Sequence, residues 1–297
     1  MNKVFVQLSG GLGNQMFQYA TARAQSLNNN SPLIVDIWSG FVRDRQYKRV
    51  FALASFPIHW RIATSWDYIS LYFYRLQTKL GRPQRLLDTN HCGRDFYVEQ
   101  RFQFEPLLLR RQLTKSTWLI GYWQTPKYFA AHEALLRKEL MPPMPTKGPF
   151  LTLHELVRGC ESVAIGIRLY EESNDPSAHA HEGKIKTAVD VNKAIARVLD
   201  SRPSAKFFVF CTHRANYLAD LDLPADTIYV TADEGFSNSV ECLWLIAQCK
   251  HHIFTNSSYY WWGAWLSEAI HKKEEQLVFA ADNFINTDGL CDYWQRF

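Results

Sequence analysis

The chain has 297 residues, 47% of them hydrophobic and 21% charged, with a formal net charge of +4. That length accommodates one large domain or two ordinary ones with a sizeable core, and the composition is that of a globular protein. The charge is spread along the sequence without a basic block, so nothing calls for a nucleic-acid partner; a nucleotide or sugar phosphate is a better size of anion.

The six cysteines (Cys92, Cys160, Cys211, Cys242, Cys249 and Cys291) form no CxxC pair and read as reduced core thiols. No secretory pattern precedes the apolar run that starts after Lys3, and no apolar run reaches bilayer-spanning length. A cytoplasmic protein without a transmembrane segment is expected. Aromatic residues make up 14% of the chain and include ten tryptophans, expected mostly in the core, with some ring area available to a sugar or a membrane surface.

In chain order, residues 4–8 form a short apolar run, a glycine turn follows, residues 14–27 carry helix formers, and residues 33–37 are apolar again: a βαβ reading. Residues 66–80 form an aromatic-rich helix, expected to be buried, with peripheral contact of its 66–74 stretch to the inner membrane as the alternative. A strand over 118–123 precedes Thr125-Pro126, an N-cap with proline at the first helical position, opening a helix to Leu140. Met141-Pro142-Pro143-Met144-Pro145 then interrupts all regular structure. Beyond it strands at 163–167, 207–210, 228–231, 253–255 and 277–280 interleave with helices at 189–199, 240–250 and 260–270. The pattern implies an α/β fold of two Rossmann-like domains, 1–148 and 149–297, with the ligand crevice at the carboxyl ends of mostly parallel strands.

Two strand-to-helix junctions carry the candidate chemistry. In Gly10-Gly11-Leu12-Gly13-Asn14-Gln15, the glycines permit positive φ and close backbone approach, and the amides stand at the mouth of a helix. Asn14 is nearer the loop than Gln18, so it is the better candidate for contacting a sugar hydroxyl or the leaving group. Gly11-x-Gly13 with Asp36 also has the form of a dinucleotide fingerprint, but Met16 occupies the third glycine position. At the second junction, Asn256, Ser257 and Ser258 precede a helix whose first N–H groups can cradle a diphosphate. Arg168, at the carboxyl end of a central strand, can fork onto phosphate oxygens. Glu171 and Glu172 follow it and either accept a proton from an acceptor hydroxyl or support the arginine. Glu241 stands at capping-box spacing from Asn238. Asp220-Leu221-Asp222 has the form of a metal-binding Asp-x-Asp but sits in a connecting segment, and His179, His181 and Glu182 lie in a polar loop.

Taken in full, Gly-Gly-Leu-Gly-Asn-Gln-Met-Phe-Gln-Tyr-Ala resembles the N-terminal signature of the bacterial α-1,2-fucosyltransferases, glycosyltransferase family 11. Gly121-Tyr122-Trp123-Gln124 and the stretch from Cys249-Lys250-His251 through Asn256-Ser257-Ser258 to Trp261-Trp262-Gly263-Ala264-Trp265-Leu266 are similar to two further family segments, in the same order. The chain departs from the family in its second half. Where the family carries His-x-Arg-Arg-Gly-Asp, it reads Gly166-Ile167-Arg168-Leu169-Tyr170-Glu171; a Ser-Asp-Asp is Cys211-Thr212-His213, and a Glu-Asp pair is Glu241-Cys242. In related fucosyltransferases the missing histidine and an aspartate help to read guanine.

The resemblance implies a GT-B-like fold with two domains facing a central cleft, acceptor side first and donor side second. It also implies metal-independent, inverting transfer of L-fucose from GDP-fucose to the 2-hydroxyl of a terminal β-galactoside. The setting is polysaccharide or O-antigen synthesis, the acceptor a glycan that can be lipid-linked, and no cofactor is needed. On this reading Arg168, Glu171 and Asn14 act in catalysis, and Gly11, Gly13, Arg168, Thr212, His213, Asn256, Ser257 and Ser258 bind the donor. The alternatives are an NAD-dependent oxidoreductase using Gly11, Gly13 and Asp36, and a catalytically inactive binding protein of the same fold.

Overall fold

The computed structural model describes residues 1–42, 44–80, 87–91, 93–110, 112–170, 185–284 and 286–297. The chain divides into two compact units, Met1–Glu139 and Leu140–Phe297, so the division falls at the end of a helix and ahead of the proline-rich run.

The first unit is built on six strands, β1 (Val4–Gln7), β2 (Leu33–Asp36), β3 (Arg61–Ile62), β4 (Leu87–His91), β5 (Arg94–Val98) and β6 (Thr117–Ile120), ordered β3-β2-β1-β6-β5-β4. All neighbours run parallel except β4 and β5. Its helices are α1 (Leu12–Asn28), α2 (Ser65–Lys79), the single turn α3 (Leu107–Arg110) and α4 (Glu133–Leu140). The βαβ opening expected from the sequence is present. The helix expected from Pro126 is not continuous: Thr125 caps it, accepting from the Lys127 N–H at 3.3 Å, but the chain makes two 3₁₀ turns, Pro126–Tyr128 and Ala130–His132, before α4. Strands β3, β4 and β5 add to those that the apolar pattern marks. The core on one face stacks Phe5 on Trp118 (4.8 Å) and Tyr74 on Phe96 (4.2 Å).

The second unit has α5 (Pro149–Arg158), β7 (Glu161–Gly166), α6 (Ala188–Ser201), β8 (Ala205–Phe210), β9 (Ile228–Val230), α7 (Ser239–Gln248), β10 (His251–Phe254), α8 (Ser258–Ser267), β11 (Val278–Ala280) and β12 (Gln295–Arg296). Its wholly parallel sheet runs β9-β8-β7-β10-β11-β12. Counted within the unit that is 3-2-1-4-5-6, the dinucleotide-fold order, with its switch point between β7 and β10. Central strands such as β8 (Ala-Lys-Phe-Phe-Val-Phe) are almost wholly buried, as helices on both faces require.

Seven of the ten tryptophans are buried, while Trp38 and Trp66 are exposed. None of the five described cysteines is disulfide-bonded. Charge is not evenly spread once the units are known. The first unit holds 19 lysines and arginines against 9 aspartates and glutamates, a net +10; the second holds 14 against 20, a net −6.

Candidate functional site

In the second unit the candidate residues gather at the β7/β10 switch point. Strand β7 must end in glycine because the Tyr260 ring lies directly over it: a Cβ on Gly166 would stand 2.3 Å from Tyr260 Cγ. The Tyr260 hydroxyl shares its one proton between the carbonyls of Phe210 (2.9 Å) and Ile167 (3.2 Å), tying α8 to the ends of β7 and β8. The Arg168 N–H then donates to Thr255 Oγ1 at 2.9 Å, joining the chain after β7 to that after β10. The Arg168 guanidinium stands 4.7 Å above the Tyr170 ring, and the Tyr170 hydroxyl donates to the Asn256 carbonyl at 3.1 Å. A half-buried cation is thereby held at the place where open α/β sheets receive ligands.

Tyr170 has φ +56°, the left-handed region, at the position where the family pattern carries glycine. Of the two departures, Gly166 is required under Tyr260, and Tyr170 places a ring beneath Arg168.

Helix α8 begins at the same junction. Ser257 is its N-cap residue and makes no side-chain cap hydrogen bond, and the positive end of the helix dipole lies at this junction. The tryptophans behind it are core rather than ligand surface: Trp261, Trp262 and Trp265 are fully buried, and Trp261 Nε1–H donates to the Gly289 carbonyl at 2.7 Å. Gly263 allows α8 to approach α7, since a Cβ there would lie 2.2 Å from Ile246.

Thr212 and His213 follow β8 and are exposed. His213 Nδ1 is 3.0 Å from Asp233, whose carboxyl is held below its ordinary range first by the Arg214 N–H and then by His213. Asn238 caps α7 by accepting from the Val240 and Glu241 N–H groups, so Glu241 falls at the capping position expected. Asp220 and Asp222 are exposed and flank Asn192 of α6, which bonds the backbone of both. Among the described residues, no group of three or more His, Cys, Asp or Glu is arranged to hold a metal ion. Glu171, Glu172, His179, His181 and Glu182 lie outside the described residues.

In the first unit the β1/β6 switch point carries the glycine turn and the Gly121–Gln124 segment. Gly10 has φ +72°, which its place in the turn requires. Gly11 has no positive φ, and a Cβ there would meet no heavy atom within 4 Å, so neither backbone nor neighbours demand glycine. Gln18 is consumed by structure: it accepts from the Ser9 N–H (2.9 Å) and donates to the Gly121 carbonyl (3.1 Å). Asn14 remains half-buried at the mouth of α1, accepting from Gln124 Nε2 at 2.7 Å. Gly13 is buried within the first turn.

Glu99, missed by sequence reading, holds the Gly-Tyr-Trp-Gln turn. Its carboxylate accepts the N–H of Tyr122 (2.7 Å) and of Trp123 (3.0 Å), while Trp123 sits at φ +55°. Burial raises its pKa even against those two donors. A signal was present in the acidic residue ending the β-branched and aromatic run Phe96-Tyr97-Val98.

Asp36 does not serve a dinucleotide. It is fully buried and accepts from the N–H groups of Trp38 (3.0 Å) and Ser39 (2.8 Å), from the Ser39 hydroxyl and from the Tyr68 hydroxyl (2.9 Å). With Met16 also buried at the third fingerprint position, the oxidoreductase alternative loses its ribose-binding acid. The hollow lined by Arg23, Asn30, His59 and Arg61 lies at the amino ends of β1 and β2, away from these candidates.

Two Rossmann-like units, each with candidate residues at its switch point, define an α/β protein of the GT-B-like class. The model of Glycosyl transferase family 11 matches residues 107–284, more than half the sequence, and the chain belongs to that family. An alpha-1,2-colitosyltransferase of Escherichia coli is 28% identical over 274 residues, covering 90% of this chain and 88% of that protein. The O-antigen biosynthesis glycosyltransferase WbnK of Escherichia coli is 24% identical over 280 residues, covering 88% and 89%. Among solved structures, fucosyltransferase NodZ from Bradyrhizobium aligns over 89% of this chain and 92% of its own, at 12% identity and a TM-score of 0.46.

Proposed function

We propose that this family 11 glycosyltransferase moves L-fucose from GDP-fucose to the 2-hydroxyl of a terminal β-galactoside, with inversion, in bacterial O-antigen or related polysaccharide synthesis. Family membership supports the reaction class, and the α-1,2 linkage and O-antigen setting follow the names of its relatives. The observation that carries the donor site is Arg168, held over Tyr170 beside the first turn of α8 at the β7/β10 switch point.

In the proposed step the acceptor oxygen bonds to the anomeric carbon as the bond from that carbon to the diphosphate breaks. The acceptor proton passes to a carboxylate, and the bonding pair leaves with GDP. Arg168, the α8 N–H groups and the Ser257 and Ser258 hydroxyls stabilise charge that grows on the departing diphosphate, more in the transition state than in the ground state. Glu171 is assigned as the proton acceptor. Thr212, His213 and Asn256 complete the donor site; Gly11 and Gly13 are assigned to donor binding and Asn14 to catalysis. No helix of the described residues is long and apolar enough to cross a membrane. The proposed location is the cytoplasm, with peripheral contact to the inner membrane as the alternative.

The test is a donor-by-acceptor screen on purified protein, with product linkage determined by NMR. GDP-fucose and GDP-colitose are compared on β-galactosides, with and without excess chelator. An α-1,2-fucosyl product formed equally with chelator present is expected. Selective use of GDP-colitose would reassign the donor, a strict requirement for Mn²⁺ or Mg²⁺ would reject the metal-free step, and absence of both transfer and donor hydrolysis would favour a binding protein.

A further inference from the structure

Helix α2 carries two faces of unlike chemistry. Inward, Tyr74 and Leu71 join the core of the first unit, and Asp67 pairs with Arg94 at 3.0 Å. Outward, Trp66, Ile69, Phe73 and Leu76, followed by Leu80 just past the helix, recur at spacings of three and four, with Tyr72 beside them. Trp66 and Leu80 are each 79% exposed and Tyr72 64%. Trp38, 62% exposed, meets Tyr68 of the same helix edge-on at 5.9 Å. The expectation of a buried aromatic helix is thus corrected: the core takes only one side of it. Single exposed apolar residues are ordinary, but a continuous row with several rings needs a partner.

Charge decides which partner. The only acid of α2 is the buried Asp67, and its cations are the exposed Lys79 and the half-buried Arg75. The unit as a whole carries a net +10, and two of its nine acids, Asp67 and Glu139, are buried in pairs with Arg94 and Arg23. A second copy docking by two-fold symmetry would bring one such surface against another. An anionic bilayer complements it, and amphipathic rings suit the headgroup boundary.

We propose that the outer face of α2, with Trp38, docks on the headgroup region of an anionic phospholipid bilayer, the helix lying in the membrane plane. At 15 residues the helix is about 22 Å long, too short to span the hydrocarbon core. The inference stands apart from the glycosyltransferase reading, because its readout is binding rather than turnover.

The test is flotation of the purified full chain with vesicles of phosphatidylcholine alone or with one-third phosphatidylglycerol, at low and high salt, alongside light scattering of the protein alone. Binding to the anionic vesicles should exceed binding to the neutral ones by about 10-fold or more and weaken at high salt. The double variant Trp66→Ser/Phe73→Ser, checked for native circular dichroism, should lose about 10-fold or more of that binding, whereas Val189→Ser, an exposed apolar residue of the other unit, should lose none. Absence of vesicle binding, equal binding to both vesicle types, or an unchanged double variant would overturn the proposal. So would a dimeric protein that the double variant makes monomeric, which would assign the face to a second copy.

Discussion

Tyr170 supports Arg168: its ring lies 4.7 Å beneath the guanidinium while its own backbone holds φ +56°. A left-handed tyrosine costs about 1–2 kcal/mol, which a glycine would avoid. Tyr170→Gly should therefore leave unfolding free energy within about 1 kcal/mol of wild type, the relief being offset by the greater freedom of glycine in the unfolded chain. The same variant should lower turnover at saturating donor and raise the donor KM, and Tyr170→Phe, which keeps the ring, should restore most of both. Equal kinetics in Tyr170→Gly and wild type would show that the ring does not position the arginine.

Arg168 itself should matter more than its support. Arg168→Ala should reduce kcat by about 10²- to 10³-fold, the scale of losing one preorganised donor to developing negative charge. Arg168→Lys should recover only part of this, because an ammonium cannot make the planar two-point contact. Steady-state kinetics on variants with native thermal melts check both, and near-normal turnover in Arg168→Ala would remove the residue from the mechanism.

Gly166 and Tyr260 form a second coupled pair. Gly166→Ala places a methyl 2.3 Å from Tyr260 Cγ, and Tyr260 cannot yield without breaking its bonds to Phe210 and Ile167. The expected loss is about 1–3 kcal/mol in urea unfolding. Combining it with Tyr260→Leu should cost less than the sum of the single changes, and strict additivity would mean that the two residues are not in contact.

The buried His252 gives the second unit an acid sensitivity whose sign can be worked out. Burial lowers its pKa from an ordinary 6.5 to about 3, and its Nε2 faces the Cys249 carbonyl at 3.1 Å. Between those values the unfolded chain binds a proton that the folded chain refuses, so stability falls as pH drops through the window, by about 1.4 kcal/mol per pH unit. His251 is shifted in the same direction by burial, against the opposing pull of Glu161. Urea midpoints from pH 7 to 4 should decline less steeply in His252→Gln than in wild type, and parallel profiles would refute the assignment.

What the sequence determined by itself is local. Alternating apolar runs and helix formers fixed the strands from β7 to β11 and the helices between them to within a few residues, because fully buried parallel strands read as unbroken apolar runs. The motif at Asn14 and the arginine at 168 were legible for the same reason: glycines, amides and a cation at strand ends are short-range signals. Tertiary structure decided the rest. The enclosure of Asp36 depends on Tyr68, which comes from another element, and the roles of Gly166 and Tyr170 depend on Tyr260 and Asn256, nearly ninety residues away or more. Glu99 gains its place only when β5 lies beside β6. The outward face of α2 was likewise invisible beforehand, because helical periodicity shows that two faces differ but not which one the core will cover when both are aromatic.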